Sequence, residues 1–324
     1  VSRSIAGLGI GGICVTSLSF KTTDDMSLRS SAAAVTVTGI NGLPTFYINK
    51  RSYEDGVWTI EALDRAAFLD LPVDMSGCAK YRNNTMYAVT DFVSRIQRDC
   101  GFSSVTIPYS PFTDATLIPC EAVDGKSYQS VLTSMALAYG GFFCVTSGTV
   151  LTFQLFYAVP AHYQAAHYSR LRHTGTFTYG SVKATDGQTT NTYGSTTPTL
   201  TVNNEFVDFR NNVCVSAYQA MVTQTNEGIR IDNAVLATAL TVPLANSTVS
   251  VGGTSYRFSS ISARLTGDTL LLSLSNELPS TGEINRRGRL QKELDEKVST
   301  ERVYNTIQTA YQDGIVVVPN EVTS

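Results

Sequence analysis

The most constraining feature of this chain is a run of short β-branched and aromatic segments punctuated by two-residue turn signals. Asn41-Gly42, Asp55-Gly56, Asp186-Gly187, Gly252-Gly253 and Gly267-Asp268 lie among such segments. Pairs of this kind accept the positive φ that a tight hairpin needs, and the right-handed twist of the flanking strands favours them. Residues 13–20, 34–40, 44–50 and 57–63 alternate in part with period two, so the first block is expected to form an antiparallel meander that closes or stacks to protect its edges. Strands are likewise expected over 175–181, 197–202, 213–222, 237–243, 247–251, 254–265 and 269–275. The segment SYRFSSISARLTGDTLLLSLSN (255–276) reads as the cleanest hairpin, with a bulge near Ser259-Ser260.

Between these blocks the period changes. Met86, Val89, Phe92, Val93 and Ile96 fall near helical spacing and the run stops at Gly101, a C-terminal cap. Val131, Leu132, Met135 and Leu137 form a second stripe, with Ser127 as N-cap and Gly140-Gly141 as terminator. Two strands follow around Ser147-Gly148. ALDRAAFLD (62–70) reads as a short helix or turn ended by Pro72, and Pro108, Pro111 and Pro119 mark an extended loop. The polar stretch 180–200 reads as an excursion or loop. In the last forty or so residues Leu290, Leu294, Val298, Tyr304, Ile307 and Tyr311 recur at helical intervals among charged residues, the pattern of an exposed or oligomer-facing helix; Asp313-Gly314 ends it, and IVVVP follows as a short strand or anchor.

The resulting fold class is mixed β and α+β. It comprises a first antiparallel β-barrel domain (1–75), a small α+β domain of helix, helix and hairpin (76–160), a second β-barrel domain (161–285), and a C-terminal helical tail with a terminal strand (286–324).

Charge narrows the function. Only 16% of the 324 residues are charged, against about 25% in ordinary globular proteins. The formal net charge is -3, which argues against a nucleic-acid binder that works through a broad basic surface. No stretch of 18 apolar residues exists, so no helical membrane span is expected. The chain opens on Val1 rather than Met, leaving room for residues upstream, and the glycine-broken N-terminus lacks the marks of a signal peptide. Six scattered cysteines, with no C-x-x-C, read as buried free thiols folded in a reducing compartment.

Catalytic signals are weak. His162, His167 and His173 fall within AHYQAAHYSRLRH, at spacings that match no zinc pattern and with no carboxylate between them, so no metal site is assigned. With Tyr157, Tyr163, Tyr168, Arg170 and Arg172 they suggest an amphipathic, interface-prone linker. Glu61/Asp64, Asp74 and Glu121/Asp124 are the candidate acid and base pairs, but capping is the default for Glu61 and Asp64 at a strand-to-helix junction. GLGIGG (7–12) lacks the βαβ context of a dinucleotide fingerprint, because 13–20 reads as a strand where a helix is needed. No catalytic residue and no cofactor is assigned, and the chain is expected not to be an enzyme.

Three phrases carry a resemblance. SYEDGVWTIEALDRAAFLDLPV (52–73), SVLTSMALAYGGFFCVTSGTVLTF (130–153) and SYRFSSISARLTGDTLLLSL (255–274) resemble, in order and phrasing, the baseplate hub proteins of bacteriophage tails and related contractile injection machines. The resemblance spans about 10–285. It implies two related β-barrels with α/β additions, trimerised so that six barrels form a ring adapting a sixfold tail tube to a threefold spike or central fibre. The implied partners are two further copies of the chain, a tail tube or distal tail protein, a spike, tail-tip or fibre protein and a tape-measure protein, with DNA passing without specific binding. The implied location is the tail tip or baseplate of a virion made in the host cytoplasm. No fused cell-wall hydrolase domain follows within these residues. The residues expected to make contacts are Tyr53, Trp58 and Phe68, with Leu290, Leu294 and Val298 in the tail; a Trp at a strand position such as 58 is more often core than surface. Two other classes are a receptor- or carbohydrate-binding tail module, which needs an exposed aromatic platform, and a cell-wall-degrading tail hydrolase, which needs His162 or His173 beside a carboxylate.

Overall fold

The computed structural model describes residues 1–4, 11–26, 33–108, 117–204, 206–207, 212–238 and 240–276. The expected tail over 286–324, with Leu290, Leu294 and Val298, lies outside the described residues, as does Pro111. Residues 1–64 contribute β1 (Ser2–Ser4), β2 (Ile13–Cys14), β3 (Thr16–Thr22), β4 (Ala34–Val35), β5 (Phe46–Glu54) and β6 (Val57–Asp64). A 3-10 turn, Arg65–Asp70, follows as the ALDRAAFLD phrase predicts. Asp64 caps it, accepting from Ala66 N at 3.0 Å, and Leu71 N closes on Phe68 O before Pro72.

The α+β part holds β7 (Lys80–Tyr81), β8 (Met86–Ala88), α1 (Val89–Cys100), β9 (Ser104–Thr106), β10 (Leu117–Pro119), α2 (Tyr128–Ala138), β11 (Gly141–Ser147) and β12 (Val150–Leu155). Helix α1 buries Val89, Phe92, Ile96 and Cys100 on one stripe, and Gly101 ends it in the left-handed region. Ser127 caps α2, its hydroxyl accepting from Ser130 N at 3.2 Å; Tyr128, Val131, Leu132, Met135, Ala136 and Ala138 are buried along it. Both helices match the spacing argument. β2, β11, β12 and β9 form one sheet in that order, with β2 parallel to β11. The N-terminal glycine segment therefore ends as a sheet edge, where Gly11 N donates to Gly141 O at 2.7 Å and Phe143 N to Gly12 O at 3.0 Å.

The remainder contains β13 (His162–His167), β14 (Arg170–Phe177), β15 (Ser181–Thr185), β16 (Thr190–Gly194), β17 (Thr199–Asn203), α3 (Asn212–Thr223), β18 (Asn226–Leu236), β19 (Thr248–Val251), β20 (Thr254–Arg257), β21 (Ser260–Thr266) and β22 (Thr269–Asn276). Several expectations are corrected here. Residues 213–222 are helical, not a strand: Cys214, Ala217, Tyr218 and Met221 are buried at i, i+3, i+4 and i+7, and that stripe outweighs the β-branched valines. No strand forms over the described part of 237–243; the strand before it, β18 (Asn226–Leu236), was not expected, and the strand expected at 175–181 divides between β14 and β15. The polar stretch 180–200 is not a loop, since β15 pairs with β16 on one side and β17 on the other. The expected linker around the histidines is two strands, β13 and β14, each paired to β18.

Helix α3 and the β15 sheet close over the C-terminal end of α2. There Cys214 Sγ (2.9 Å) and the Tyr218 hydroxyl both donate to Ala138 O, and Asn204 Nδ2 donates to Ser134 O at 3.2 Å.

The dominant sheet has twelve strands. Its path runs β20-β19-β13-β18-β22-β21-β1-β3-β6-β5-β4, with β14 paired to β18 beside β13. Three residues decide this topology: β1 pairs with β21 on one side and β3 on the other, so strands of the two expected barrels share one hydrogen-bonded sheet. The described pairings form an open path and close neither half into a barrel. The first block is antiparallel, but β3 pairs with β6 rather than with the next strand in sequence. Asn41-Gly42 makes no hairpin; it docks across the chain, with Asn41 N donating to Leu240 O at 2.8 Å and Val242 N to Asn41 O at 3.0 Å. The break near Ser259-Ser260 is not a bulge in one hairpin, because β20 pairs with β19 while β21 pairs with β22 and β1.

One face of this sheet is the core. Ile231, Leu274 and Ile261 align across β18, β22 and β21, and the same row continues to Arg3 and Thr16. Arg3 is thus buried, and its Nη2 donates to Gly42 O at 2.7 Å. Nearby, Asp64 is also buried and accepts from Thr16 N at 2.7 Å. Burial pushes the Asp64 carboxyl up to about 6, against the pull of its two backbone N–H donors and of the Arg3 charge.

Candidate interaction surfaces

Side chains on a strand alternate between faces, so the sheet whose one face is the core presents the other outward. At its centre, across β3, β1, β21 and β22, that outer face is rich in serine. Ser17, Ser2, Ser262 and Ser273 stand in one register row across β3, β1, β21 and β22. The next row runs from Ser260 through Ser275 to Arg230 and Arg172. Ser2 and Ser262 are exposed, and Ser17, Ser260, Ser273 and Ser275 are half-buried. Such a surface is polar, short-chained and nearly neutral at its centre.

Among the described residues the sheet has strands with an unpaired side at β20, at β14 and at the β4–β5 end. The sequence candidates fall on two of them, and the first is β5. Asp55 (φ 50°) and Gly56 (φ 80°) both take positive φ, the geometry of a two-residue hairpin loop. Beyond a register shift between Ile48 and Lys50, the β5–β6 hairpin projects as a ribbon, and residues 49–56 are exposed. β4 pairs with Tyr47 and Phe46, Ile48 N donates to Ala33 O at 3.1 Å, and the Arg51 guanidinium donates to Met26 O at 2.7 Å. Tyr53 and Trp58 are cross-strand neighbours with ring centroids 4.9 Å apart; Tyr53 is 61% exposed and Trp58 half-buried. The third expected contact residue, Phe68, lies at the other end of β6. It meets Tyr47 edge-on at 5.4 Å, and the Arg65 guanidinium lies 4.5 Å from its ring centroid. Tyr53 and Trp58 are therefore brought together, and Phe68 is not with them.

The second is β14, paired only to β18 among the described residues. Arg172 and Arg230 contact the Asp232 carboxylate at 3.3 and 2.8 Å. With Arg170 they hold that carboxyl below its usual range, the Arg230 hydrogen bond being the largest cause. At the far end of the same pair, exposed Glu227 stands opposite Thr176. Period-two alternation in RLRHTGTF was the available signal for this strand, and the dense tyrosine, histidine and arginine content obscured it.

The remaining candidates are separated. His162 Nδ1 lies 2.6 Å from Thr248 Oγ1, and the His173 ring packs on Tyr256 with centroids 5.7 Å apart. Among the described residues no three His, Cys, Asp or Glu side chains gather as a metal site. Glu61 is exposed while Asp64 caps the 3-10 turn, so the two do not form an acid–base pair. Asp74 accepts from Ser76 N at 2.9 Å, and Asp124 accepts from the Tyr87 hydroxyl at 2.9 Å. All six cysteines are free, and all but Cys78 are buried. No described helix is long and apolar enough to cross a membrane.

No family model matches the chain, and no curated protein matches it. Among solved structures it is similar to the 43 kDa tail protein of prophage MuSo2 from Shewanella oneidensis, at 12% identity over 85% of this chain and 92% of that one, with a TM-score of 0.45. It is also similar to the tail protein from Neisseria meningitidis MC58, at 11% identity over 84% and 90% of the two chains, with a TM-score of 0.48. Similarity this distant assigns the chain to no family.

Proposed function

We propose that this protein is a structural hub of a phage tail or phage-like injection machine. In this reading it forms an oligomeric ring that joins the sixfold tail tube to a threefold spike or central fibre and nucleates tail assembly. The observation that carries the reading is the twelve-stranded sheet: one face is core, the other is serine-rich at its centre, and at one side β14 pairs only with β18 among the described residues. Natural proteins rarely leave long strand edges unprotected unless something pairs with them. The three sequence phrases that resemble hub proteins support the same role, which is mechanical rather than enzymatic.

A lumen lined by the serine face suits a conduit. Binding DNA through its backbone needs dense Lys and Arg that release counterions, and the centre of this face offers neutral hydroxyls instead. The test is the mass and symmetry of the purified protein, by light scattering and electron microscopy. A trimer with a central channel is expected; a particle that stays monomeric at all concentrations overturns the reading. DNA retention by the assembled ring checks the conduit role, and tight, salt-sensitive retention would contradict it.

Tyr53, exposed beside the half-buried Trp58, favours a second reading, a receptor- or carbohydrate-binding tail module, since an aromatic side chain at a projecting tip suits a sugar face. A monomer that binds host cell-wall glycans, and loses binding on Tyr53→Ala, would establish it.

A further inference from the structure

We propose that Cys14 and Cys144 are a latent disulfide: the fold sets the two thiols side by side, and a small-molecule disulfide such as oxidised glutathione converts them to a bond that ties the N-terminal edge strand to the α+β sheet. The inference goes beyond the ring reading and does not depend on it, since it concerns a single copy of the chain.

Strand register places the pair. β2 runs parallel to β11, with Ile13 level with Phe143 and Cys14 level with Cys144. Level residues on neighbouring strands project to the same face, and Cys14, Cys144, Phe142 and Ala245 form one buried cluster. Adjacent strands lie about 4.8 Å apart, within the roughly 4.4–6.8 Å between Cα atoms that a disulfide bridges. The bond also needs the two Cβ atoms drawn to within about 4.5 Å of each other. β2 can supply that shift, because it is two residues long and lies at the edge of its sheet. The structure holds both residues as thiols. No other two cysteines stand level in a strand pairing among the described residues: Cys100 and Cys214 are on helices, and Cys78 and Cys120 lie outside the strands.

The surroundings single out the same pair. The Arg3 guanidinium is buried, and it is close enough to both sulfurs to act on them electrostatically. Its Nη2 donates to Gly42 O, but its Nε makes no hydrogen bond. Burial pushes the Cys144 thiol up; Cys14 adds to that shift and Arg3 opposes it. The resting thiols therefore stay protonated and inert in a reducing compartment, while a thiolate forming at either sulfur meets a cation with a donor to spare. Burial penalises a thiolate and not a neutral disulfide, so the bond, once made, is shielded from reductant.

The step balances with one molecule of oxidised glutathione. The thiolate of Cys14, on the edge strand, attacks one glutathione sulfur and displaces the first glutathione as its thiolate. Cys144 gives up its proton and attacks the Cys14 sulfur of this mixed disulfide, displacing the second. One S–S bond is broken and reduced in the glutathione, one is made in the protein, and the protein loses two hydrogens. The new link closes the long stretch of chain from β2 to β11, and links that close long loops remove the most entropy from the unfolded chain.

The test uses the full chain, reduced and then refolded from urea in oxidised glutathione, which removes the barrier that burial sets on the folded protein. Alkylation in denaturant followed by peptide mapping locates every bond. The peptides holding Cys14 and Cys144 are expected to be joined, and Tm to rise by about 5 °C or more over the reduced protein. Cys14→Ala and Cys144→Ala are each expected to abolish the joined peptide and the rise, and the wild-type map decides the matter even where a variant does not fold. If both cysteines stay open to alkylation after refolding, or either is joined to a different cysteine, the proposal is wrong. A Cys14–Cys144 bond that forms but lowers Tm is strain imposed on the fold, and overturns it as well.

Discussion

Gly42 and Gly56 offer a controlled test of how the two parts of the main sheet are locked together. Both have nearly the same backbone geometry, φ +77° and φ +80°. A Cβ on Gly56 meets nothing within 4 Å, whereas a Cβ on Gly42 would lie 2.3 Å from the carbonyl oxygen of Val242. Alanine at either position carries the left-handed penalty of about 1–2 kcal/mol. At Gly42 the overlap is with backbone, so the 41–42 turn must move away from residues 240–242. That movement strains two backbone hydrogen bonds, Asn41 N to Leu240 O and Val242 N to Asn41 O, each contributing about 1 kcal/mol. It also shifts Gly42 O, which accepts from the buried Arg3 guanidinium; a hydrogen bond to a charged group contributes about 1.5–3 kcal/mol. Gly42→Ala should therefore cost up to about 4.5–7 kcal/mol if all three bonds are lost, and Gly56→Ala about 1–2. Urea unfolding of both variants, followed by fluorescence of the single Trp58 and by circular dichroism, reads the difference directly. If the two variants lose the same stability, the docking of Asn41-Gly42 on residues 240–242 does not hold the sheet together.

Other perturbations follow from the same packing. Asp64 has a folded pKa of about 6 against an ordinary 3.8, so the native state holds this proton more tightly and stability falls as pH rises between those values. The two-unit shift corresponds to about 3 kcal/mol, and the stability difference between wild type and Asp64→Asn should shrink by about that much from pH 4 to pH 7; a pH-independent difference would refute it. Met135→Ala, wholly buried on α2, should cost about 2–5 kcal/mol in thermal or chemical unfolding. Tyr218→Phe removes a hydroxyl that bonds Ala138 O, which keeps Cys214 Sγ as a donor, so a loss of only about 1 kcal/mol is expected.

The sequence by itself determined the elements whose signals are local. The Asp55-Gly56 turn, the Ser127 cap, the Gly101 stop and the β21–β22 hairpin all depend on residues a few positions apart, and each formed as the spacing predicts. Helix α3 was legible too, in the spacing of Cys214, Ala217, Tyr218 and Met221, but the strand propensity of Val213, Val215 and Val222 masked it. The candidate contact residues were half legible. Adjacent strands put Tyr53 beside Trp58, while nothing in the spacing showed that Phe68 would be taken up by Tyr47 and Arg65. Only the tertiary structure decided that β1 bridges β21 and β3, that Asn41-Gly42 docks on Val242 instead of turning a hairpin, and that β14 pairs with β18. The β1–β21 pairing and the Asn41-Gly42 docking join residues roughly two hundred to two hundred and sixty positions apart. A strand's hydrogen-bonding groups are the same along its whole length, so its pattern fixes which face is buried and not which strand lies beside it. The choice of neighbour comes from burying Ile231, Leu274, Ile261 and Arg3 in one row, a condition met only when the whole chain has folded.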